Sequence, residues 1–398
     1  MPGYEVFDQS EKKEVMDVME TGILMRYGFE NQRGGVNKTL EMEKALCEKL
    51  GTRHAQLTPS GTTAVSTALA VCGIGAGDEV IMPTFTFVAS FESILALGAI
   101  PILVDIDDTL TLDPAAVERA ITPRTKAIMP VHMCGAQAHL DELMAICRKH
   151  NLILIEDACQ ATGATYHGKA VGTFGRMGCF SFDFAKVITM GEGGAVVTDD
   201  DLLAKKADGY VDHGHDHVGS DRGAESHPFM GMNYRVNELA SAIGLAQLRK
   251  LDSIVARQKQ TKKYIKDALA AEFPRLSFRR VLDPEGDIAT FLSFSLETLE
   301  QAEAATRALV ENGVGGVFHY YNNNWHYIRR WNHLKERATL YRLSQEVLDG
   351  MPDYATKTFP QSDAIISRNI STSINLSWSD DQVKARTEAM IRALRTVF

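Results

Sequence analysis

The chain predicts an α/β fold: a mostly parallel sheet flanked by helices, with a smaller C-terminal α+β domain. Three observations point there. Short apolar runs alternate with helical patterns from about residue 50 to residue 200, which is the rhythm of parallel strands and crossover helices. Most of those runs are continuously apolar, as strands covered on both faces are. The 398 residues exceed what one compact core usually holds, so a second, smaller unit is expected.

Taken in order, residues 1–37 read as an N-terminal arm and loop. A helical stretch over 11–20 is followed by a segment rich in glycine (Gly22, Gly28, Gly34, Gly35). Residues 38–50 form an amphipathic helix, with Leu40, Ala45, Leu46 and Leu50 at helical spacing. Strands are expected at 54–57, 79–82, 100–104, 127–130, 152–156, 179–182 and 194–198, and helices near 61–72, 86–97, 114–120 and 139–149. A long helix begins near Asn237, a capping residue, and runs past Leu251. A hinge is expected within 250–275. The large domain is then 38–255 and the small domain 256–398, with strands at 288–296 and 372–376.

Composition narrows the function. The chain is 45% hydrophobic and 23% charged, ordinary values for a globular protein. A net charge of -9 lacks the basic stripe of a general nucleic-acid binder, yet a few placed Arg or His residues still suffice for an anionic substrate. The six cysteines (Cys47, Cys72, Cys134, Cys147, Cys159, Cys179) show neither CxxC pairs nor zinc spacing and read as buried thiols. The polar start of the chain does not resemble a signal peptide, and no uncharged apolar stretch reaches bilayer length, so a cytoplasmic protein without a membrane partner is expected.

Four segments carry chemistry. Pro59-Ser60-Gly61-Thr62-Thr63 sits between a strand and a helix, where free backbone N–H groups cradle a phosphate; it reads equally as an N-cap. Glu156-Asp157-Ala158-Cys159-Gln160 ends a strand, and a carboxylate there serves a ribose, a metal, a protonated ring nitrogen or a plain salt bridge. Ser181-Phe182-Asp183-Phe184-Ala185-Lys186 follows an apolar strand and precedes Gly191-Glu192-Gly193-Gly194. A lysine so placed is either an ordinary loop residue or an amine whose desolvation makes it a nucleophile toward carbonyls. Gly231-Met232-Asn233-Tyr234-Arg235 lies at the mouth of the long helix, as a cap or as an anion contact. The chain has no GxxxxGK[ST], and no GxGxxG follows its first strand, which disfavours a P-loop nucleotidase and a Rossmann dehydrogenase.

Together these segments resemble the sugar aminotransferase family of fold-type I pyridoxal-phosphate enzymes, the DegT/DnrJ/EryC1/StrS group. The resemblance rests on SGTTA at 60–64, PTFTFVAS at 83–90, EDACQATGA at 156–164, SFDFAKVITMGEGG at 181–194 and GMNYRVNELASAIGLAQL at 231–248, in that order. It implies that Lys186 holds pyridoxal phosphate as a Schiff base and later shuttles a proton. Asp157 pairs with the pyridinium nitrogen, Gln160 contacts the ring hydroxyl, and Phe87 stacks on the ring face. Gly61, Thr62 and Ser181 bind the phosphate, and Asn233 reaches the phosphate of a neighbouring subunit in a homodimer. The family's dehydratase branch carries histidine at the position of Lys186, so lysine here implies amino transfer, with glutamate as the expected amino donor. A cofactor-binding protein without turnover is the competing class, disfavoured by the intact set of Lys186, Asp157 and Gln160.

The stretches 212–217 (DHGHDH) and 318–327 (FHYYNNNWHY) depart from the common family pattern. They resemble the branch that aminates an 8-oxo derivative of 3-deoxy-manno-octulosonate to 8-amino-3,8-dideoxy-manno-octulosonate, a lipopolysaccharide sugar. A nucleotide-linked 4-keto-6-deoxy sugar is the alternative acceptor. On the first reading His215, His217, Arg26 and Arg329 are candidates to bind the acceptor's carboxylate. His213, His215 and His217 also have the spacing of a metal site or of a bland polar loop, and no metal is expected.

Overall fold

The computed structural model describes residues 3–219 and 221–398. Seven strands form the large sheet: β1 (His54–Thr58), β2 (Glu79–Pro83), β3 (Ile100–Val104), β4 (Thr125–Ile128), β5 (Ile153–Asp157), β8 (Met177–Ser181) and β9 (Gly194–Thr198), with the short hairpin β6 (Thr165–Tyr166) and β7 (Lys169–Ala170) lying outside it. The spatial order is β1-β9-β8-β5-β4-β2-β3. All neighbours are parallel except at β9, which runs antiparallel to both β8 and β1. Every residue of β2, β3, β8 and β9 is buried, which accounts for the largely apolar character of those runs.

The helices start where their caps dictate. Helix α1 (Gln9–Thr21) opens on Asp8, and α2 (Lys38–Leu50) on Asn37. Helix α3 (Gly61–Val71) opens on Ser60, whose hydroxyl accepts from the Thr63 N–H in a capping box. Helix α4 (Ala89–Ala96) is shorter than the expected 86–97. The residues before it pair with the C-terminal segment instead: Phe85 bridges Tyr327, and the Thr86 and Val88 N–H groups donate to the carbonyls of His326 and Trp325 at 2.9 and 3.0 Å. The sequence pattern also misplaced one face of α2, where Leu40 is exposed and Met42, Leu46 and Leu50 are buried.

After α5 (Pro114–Ala120), α6 (Leu140–His150) and α7 (Asp201–Tyr210), helix α8 (Glu238–Glu272) runs for 35 residues without a break. The expected boundary at 255/256 therefore falls inside a continuous helix. The arm is not loose either. Glu11 of α1 receives bonds from Gln247 and Lys250, and Glu14 from Lys38 and Arg249. Beyond α8, strands β10 (Ser277–Phe278), β11 (Phe291–Ser295), β12 (Val317–Phe318) and β13 (Asn369–Ser373) make an antiparallel sheet in the order β10-β11-β13-β12. This sheet covers a second core with Ile265, Leu269, Leu292, Phe294, Ile370 and Met390. The expected strand at 372–376 lies three residues earlier, at β13. Tyr320, Tyr327, Trp331, Tyr354, Phe359 and Ile366 instead pack into the first core, so much of 320–366 returns to the large sheet.

One buried carboxylate ties down the sheet's active end. Glu156 is fully buried and accepts from the backbone N–H groups of Gly172, Phe174 and Gly175 at 2.6–2.7 Å and from His132 Nε2 at 3.1 Å. His132 Nδ1 accepts from the Ala138 N–H, so the ring proton sits on Nε2 and points at Glu156. Removing such a carboxylate strands four donors in an apolar interior. We expect Glu156→Leu to lower the unfolding free energy by about 3–5 kcal/mol in chemical denaturation; a change under about 1 kcal/mol contradicts this role.

Candidate active site

The parallel strands deliver their last residues to one edge, where α/β sheets bind ligands. Because β9 is antiparallel, its first residue reaches the same edge: Gly194 pairs with both Ser181 and Thr58. A cavity of 570 Å³ opens there, large enough for a cofactor and a small substrate. Its walls include Gly61 and Thr62 from α3, Phe87 from the loop after β2, Asp157 and Gln160 from the end of β5, and Ser181 and Lys186 from the segment after β8. The structure thus brings together seven residues singled out from four separate stretches of sequence.

The strand pleat separates the neighbouring carboxylates. Glu156 faces the 172–175 turn, whereas Asp157 faces the cavity. Asp157 Oδ2 accepts from Ser90 Oγ at 2.9 Å, and its Oδ1 accepts from the Cys159 N–H at 3.1 Å. With Ser90 donating to Asp157, Thr86 Oγ1 donates to Ser90 at 2.8 Å, so a short hydroxyl chain orients the carboxylate. Gln160 Oε1 accepts from the Cys134 N–H at 3.0 Å. Thr86, Ser90 and His326 were not singled out from sequence as site residues; PTFTFVAS contained the first two, and nothing local marked them as partners of Asp157.

Lys186 is half-buried on a loop held at both ends. Its N–H donates to the Asp183 carbonyl at 3.0 Å, and its carbonyl accepts from the Gly3 N–H at 2.8 Å. Tyr4 stacks on Phe184 with centroids 4.4 Å apart and planes 5° off parallel. The arm therefore clamps the lysine loop from outside. The Gly61 position admits no side chain, since a Cβ there would lie 2.7 Å from Ser181 Cβ and 2.9 Å from Ser181 Oγ. This close approach leaves a small-residue cradle at the start of α3.

The far wall comes from the C-terminal part of the chain: Thr290, Phe291, Phe318, Tyr320, Trp325 and His326. His326 packs against Phe87 and Tyr320, with centroids 5.6 and 5.2 Å away. Burial, reinforced by the charge of Lys186, pushes its pKa down to about 3, so the ring is neutral.

Other candidates lie elsewhere in this chain. Asn233 is exposed outside the cavity and pairs with Asp212 in an isolated bridge. Arg26 is buried against Glu43 at 2.6 Å and reaches Asp208 at 3.4 Å. His217 bridges Asp208 and Asp212 at 2.5 and 2.9 Å and stacks on Tyr27, while His215 pairs with Glu225 at 2.7 Å. Arg329 is exposed and covers the Tyr321 ring at 4.1 Å. The structure therefore does not bring Arg26, His215, His217 or Arg329 to the cavity of their own chain; Arg26 and both histidines are committed to carboxylates. Among the described residues no group of three or more His, Cys, Asp or Glu is arranged to hold a metal ion, and no helix is long and apolar enough to cross a membrane.

These residues fit pyridoxal phosphate. An apolar slot with Phe87 on its wall suits the ring, an oriented carboxylate suits a protonated ring nitrogen, and the α3 cradle with Ser181 suits the phosphate. The comparisons agree. Residues 6–390 match the DegT/DnrJ/EryC1/StrS aminotransferase family, and the chain belongs to it. It is a pyridoxal-phosphate-dependent sugar aminotransferase. It is similar to GDP-perosamine synthase of Caulobacter vibrioides, 41% identical over 66% of this chain and 68% of that one. It also resembles the L-glutamine:2-deoxy-scyllo-inosose aminotransferase of Micromonospora echinospora, 44% identical over 55% of this chain and 54% of the relative, so the match spans about half of that protein. Among solved structures, 3-amino-5-hydroxybenzoic acid synthase superposes with a TM-score of 0.80 at 29% identity, covering 98% of this chain and 97% of the other. An aminotransferase from Psychrobacter cryohalolentis gives 0.85 at 26% identity, covering 98% of each.

Two outcomes follow. Gly61→Ala should weaken cofactor binding about tenfold or more through overpacking against Ser181, read as the dissociation constant in a fluorescence titration; unchanged affinity contradicts the cradle. The second concerns His217. Burial opposes its charge, but hydrogen bonds to Asp208 and Asp212 prevail and push its pKa up to about 9. Because the folded value exceeds the ordinary 6.5, the stabilisation is complete below pH of about 6.5 and fades as pH rises through about 9. The difference in thermal midpoint between wild type and His217→Gln should therefore be widest near pH ~6 and shrink toward pH ~10.

Proposed function

We propose that the chain transfers an amino group from glutamate to 8-oxo-3-deoxy-manno-octulosonate, giving 8-amino-3,8-dideoxy-manno-octulosonate for lipopolysaccharide. The observation that carries the chemistry is the shared cavity of Lys186 and Asp157, with the Thr86–Ser90 chain fixing the carboxylate. The acceptor reading rests on the unusual 212–217 and 318–327 stretches, the second of which supplies Phe318, Tyr320, Trp325 and His326 to the cavity wall. A nucleotide-linked 4-keto-6-deoxy sugar is the alternative, favoured by the likeness to GDP-perosamine synthase. The inosose relative, named for 2-deoxy-scyllo-inosose rather than a nucleotide-linked sugar, supports a non-nucleotide acceptor. Its name also makes glutamine the competing donor.

Pyridoxal phosphate, when bound, acts as an electron sink that makes a proton on the amino-bearing carbon removable. The rest is the work of side chains. Lys186 Nζ would hold the cofactor, and its amine, once released by the amino donor, would take the proton from the donor's α-carbon as a general base. Asp157 would keep the ring nitrogen protonated. Gln160 would contact the ring hydroxyl, Phe87 would cover the ring, and Gly61, Thr62 and Ser181 would hold the phosphate. In a homodimer, exposed Asn233 completes the neighbour's phosphate site; Met230 and Met232 beside it are exposed apolar surface suited to such an interface.

Purified holoenzyme should be yellow, and glutamate should bleach the band. Lys186→Ala should lose the band's response and at least about 100-fold in turnover; Asp157→Ala should lose about 100-fold with the cofactor still retained at high concentration. A Lys186→Ala protein with full turnover ends this reading. Steady-state rates with the eight-carbon aldehyde and with a nucleotide keto-sugar decide the acceptor. Faster turnover of the keto-sugar removes the octulosonate assignment.

A further inference from the structure

We propose that His326 is a specificity residue of the acceptor half-reaction. Its Nε2 accepts a hydrogen bond from a hydroxyl of the polyhydroxylated carbonyl substrate, and Asn323 positions the ring for this. The inference rests on the sugar-acceptor reading above but does not depend on which sugar it is.

The argument starts from Asn323. One atom of its side-chain amide receives the Trp325 N–H at 2.8 Å and the His326 N–H at 3.1 Å. Backbone N–H groups only donate, so that atom is the carbonyl oxygen. The same oxygen lies 3.2 Å from His326 Nδ1. An amide oxygen only accepts, so Nδ1 carries the proton. The ring is neutral, as its burial beside Lys186 requires. A neutral ring protonated at Nδ1 presents a bare lone pair at Nε2. Among the described residues no group hydrogen-bonds that nitrogen, and His326 lines the cavity.

The position of the ring is also set by backbone. The Thr86 N–H donates to the His326 carbonyl at 2.9 Å, the Ile328 N–H to the Thr84 carbonyl at 3.2 Å, and Phe85 bridges Tyr327. This stitches the histidine to the stretch that carries Thr86, Phe87 and Ser90. Phe87 and Tyr320 flank the ring.

A neutral lone pair distinguishes the two substrates. A sugar hydroxyl donates to it favourably. The α-carboxylate of the amino donor has only lone pairs to offer and gains nothing there. His326 is therefore expected to act after the donor has left.

The test separates the half-reactions by stopped-flow absorbance of the holoenzyme. The donor half is followed with glutamate and the acceptor half with whichever carbonyl sugar the wild type turns over. His326→Ala should lower the acceptor-half kcat/KM about tenfold while the donor half changes less than about twofold. His326→Gln, which offers a side-chain oxygen in similar reach, should recover most of the loss, and Asn323→Ala should reproduce part of it. Equal slowing of both halves by His326→Ala would overturn the proposal, assigning the ring to Lys186 or the cofactor. Nitrogen-15 shifts of the His326 ring give a readout independent of turnover. A neutral, Nδ1-protonated ring near pH ~7 is expected, and an Nε2-protonated or charged ring overturns the proposal. Failure of the octulosonate assignment appears separately, as a wild type that turns over only the nucleotide sugar.

Discussion

The end of strand β5 is the constraint on which the rest of this molecule depends. Two consecutive carboxylates stand there, and the pleat turns them to different tasks. Glu156 closes a buried network of three backbone amides and one neutral histidine. That network fixes the 172–175 turn leading into β8, and β8 in turn delivers Ser181 and the lysine loop. Asp157, one residue on, faces the cavity and is held by Ser90 and the Cys159 amide. The same short strand thus anchors the scaffold and presents a carboxylate to the cavity, which keeps that carboxylate and the lysine loop in register.

Around that point the cavity is assembled from distant segments, each fixed by its own local physics. The Ser60 capping box sets the first turn of α3, and the absence of a Cβ at Gly61 lets that turn close on Ser181. Gly3 and Tyr4 press on the lysine loop from outside. The 323–328 segment pairs like a strand with 84–88, so the C-terminal part of the chain supplies the aromatic wall. The charged cluster of Arg26, His217, Asp208, Asp212 and Arg235 works at a distance from the cavity. It ties the arm to the 212–235 segment, and the bridge between Asp212 and Asn233 places that asparagine at the surface.

Much of this was legible in the sequence. Short, mostly apolar runs became strands within a few residues of their expected limits, because burial on both faces favours apolar side chains. Lys186, Asp157, Gly61, Thr62, Ser181, Gln160 and Phe87 do share one cavity. The misplacements have physical causes. Leu40 fits a helical pattern yet points outward, since periodicity does not say which face another element will cover. Residues 320–366 were assigned to the small domain by sequence position, but their large aromatic side chains found the first core. Arg26 and His217 were candidates for the acceptor's carboxylate, because sequence does not reveal the carboxylates of the chain itself that fold against them.

By itself, then, the sequence determined the layer architecture, the family and the residues that line the cavity from the large domain. These depend on local spacing and side-chain type, which a linear chain records. Only the tertiary structure decided which of two adjacent carboxylates faces the cavity and that a hydroxyl chain from Thr86 orients it. The structure also set the proton position on His326, fixed by an asparagine three residues away whose oxygen is identified by the amides it accepts. Such facts are set by distances between groups far apart in the chain or by the direction of a hydrogen bond, and neither is written in residue order.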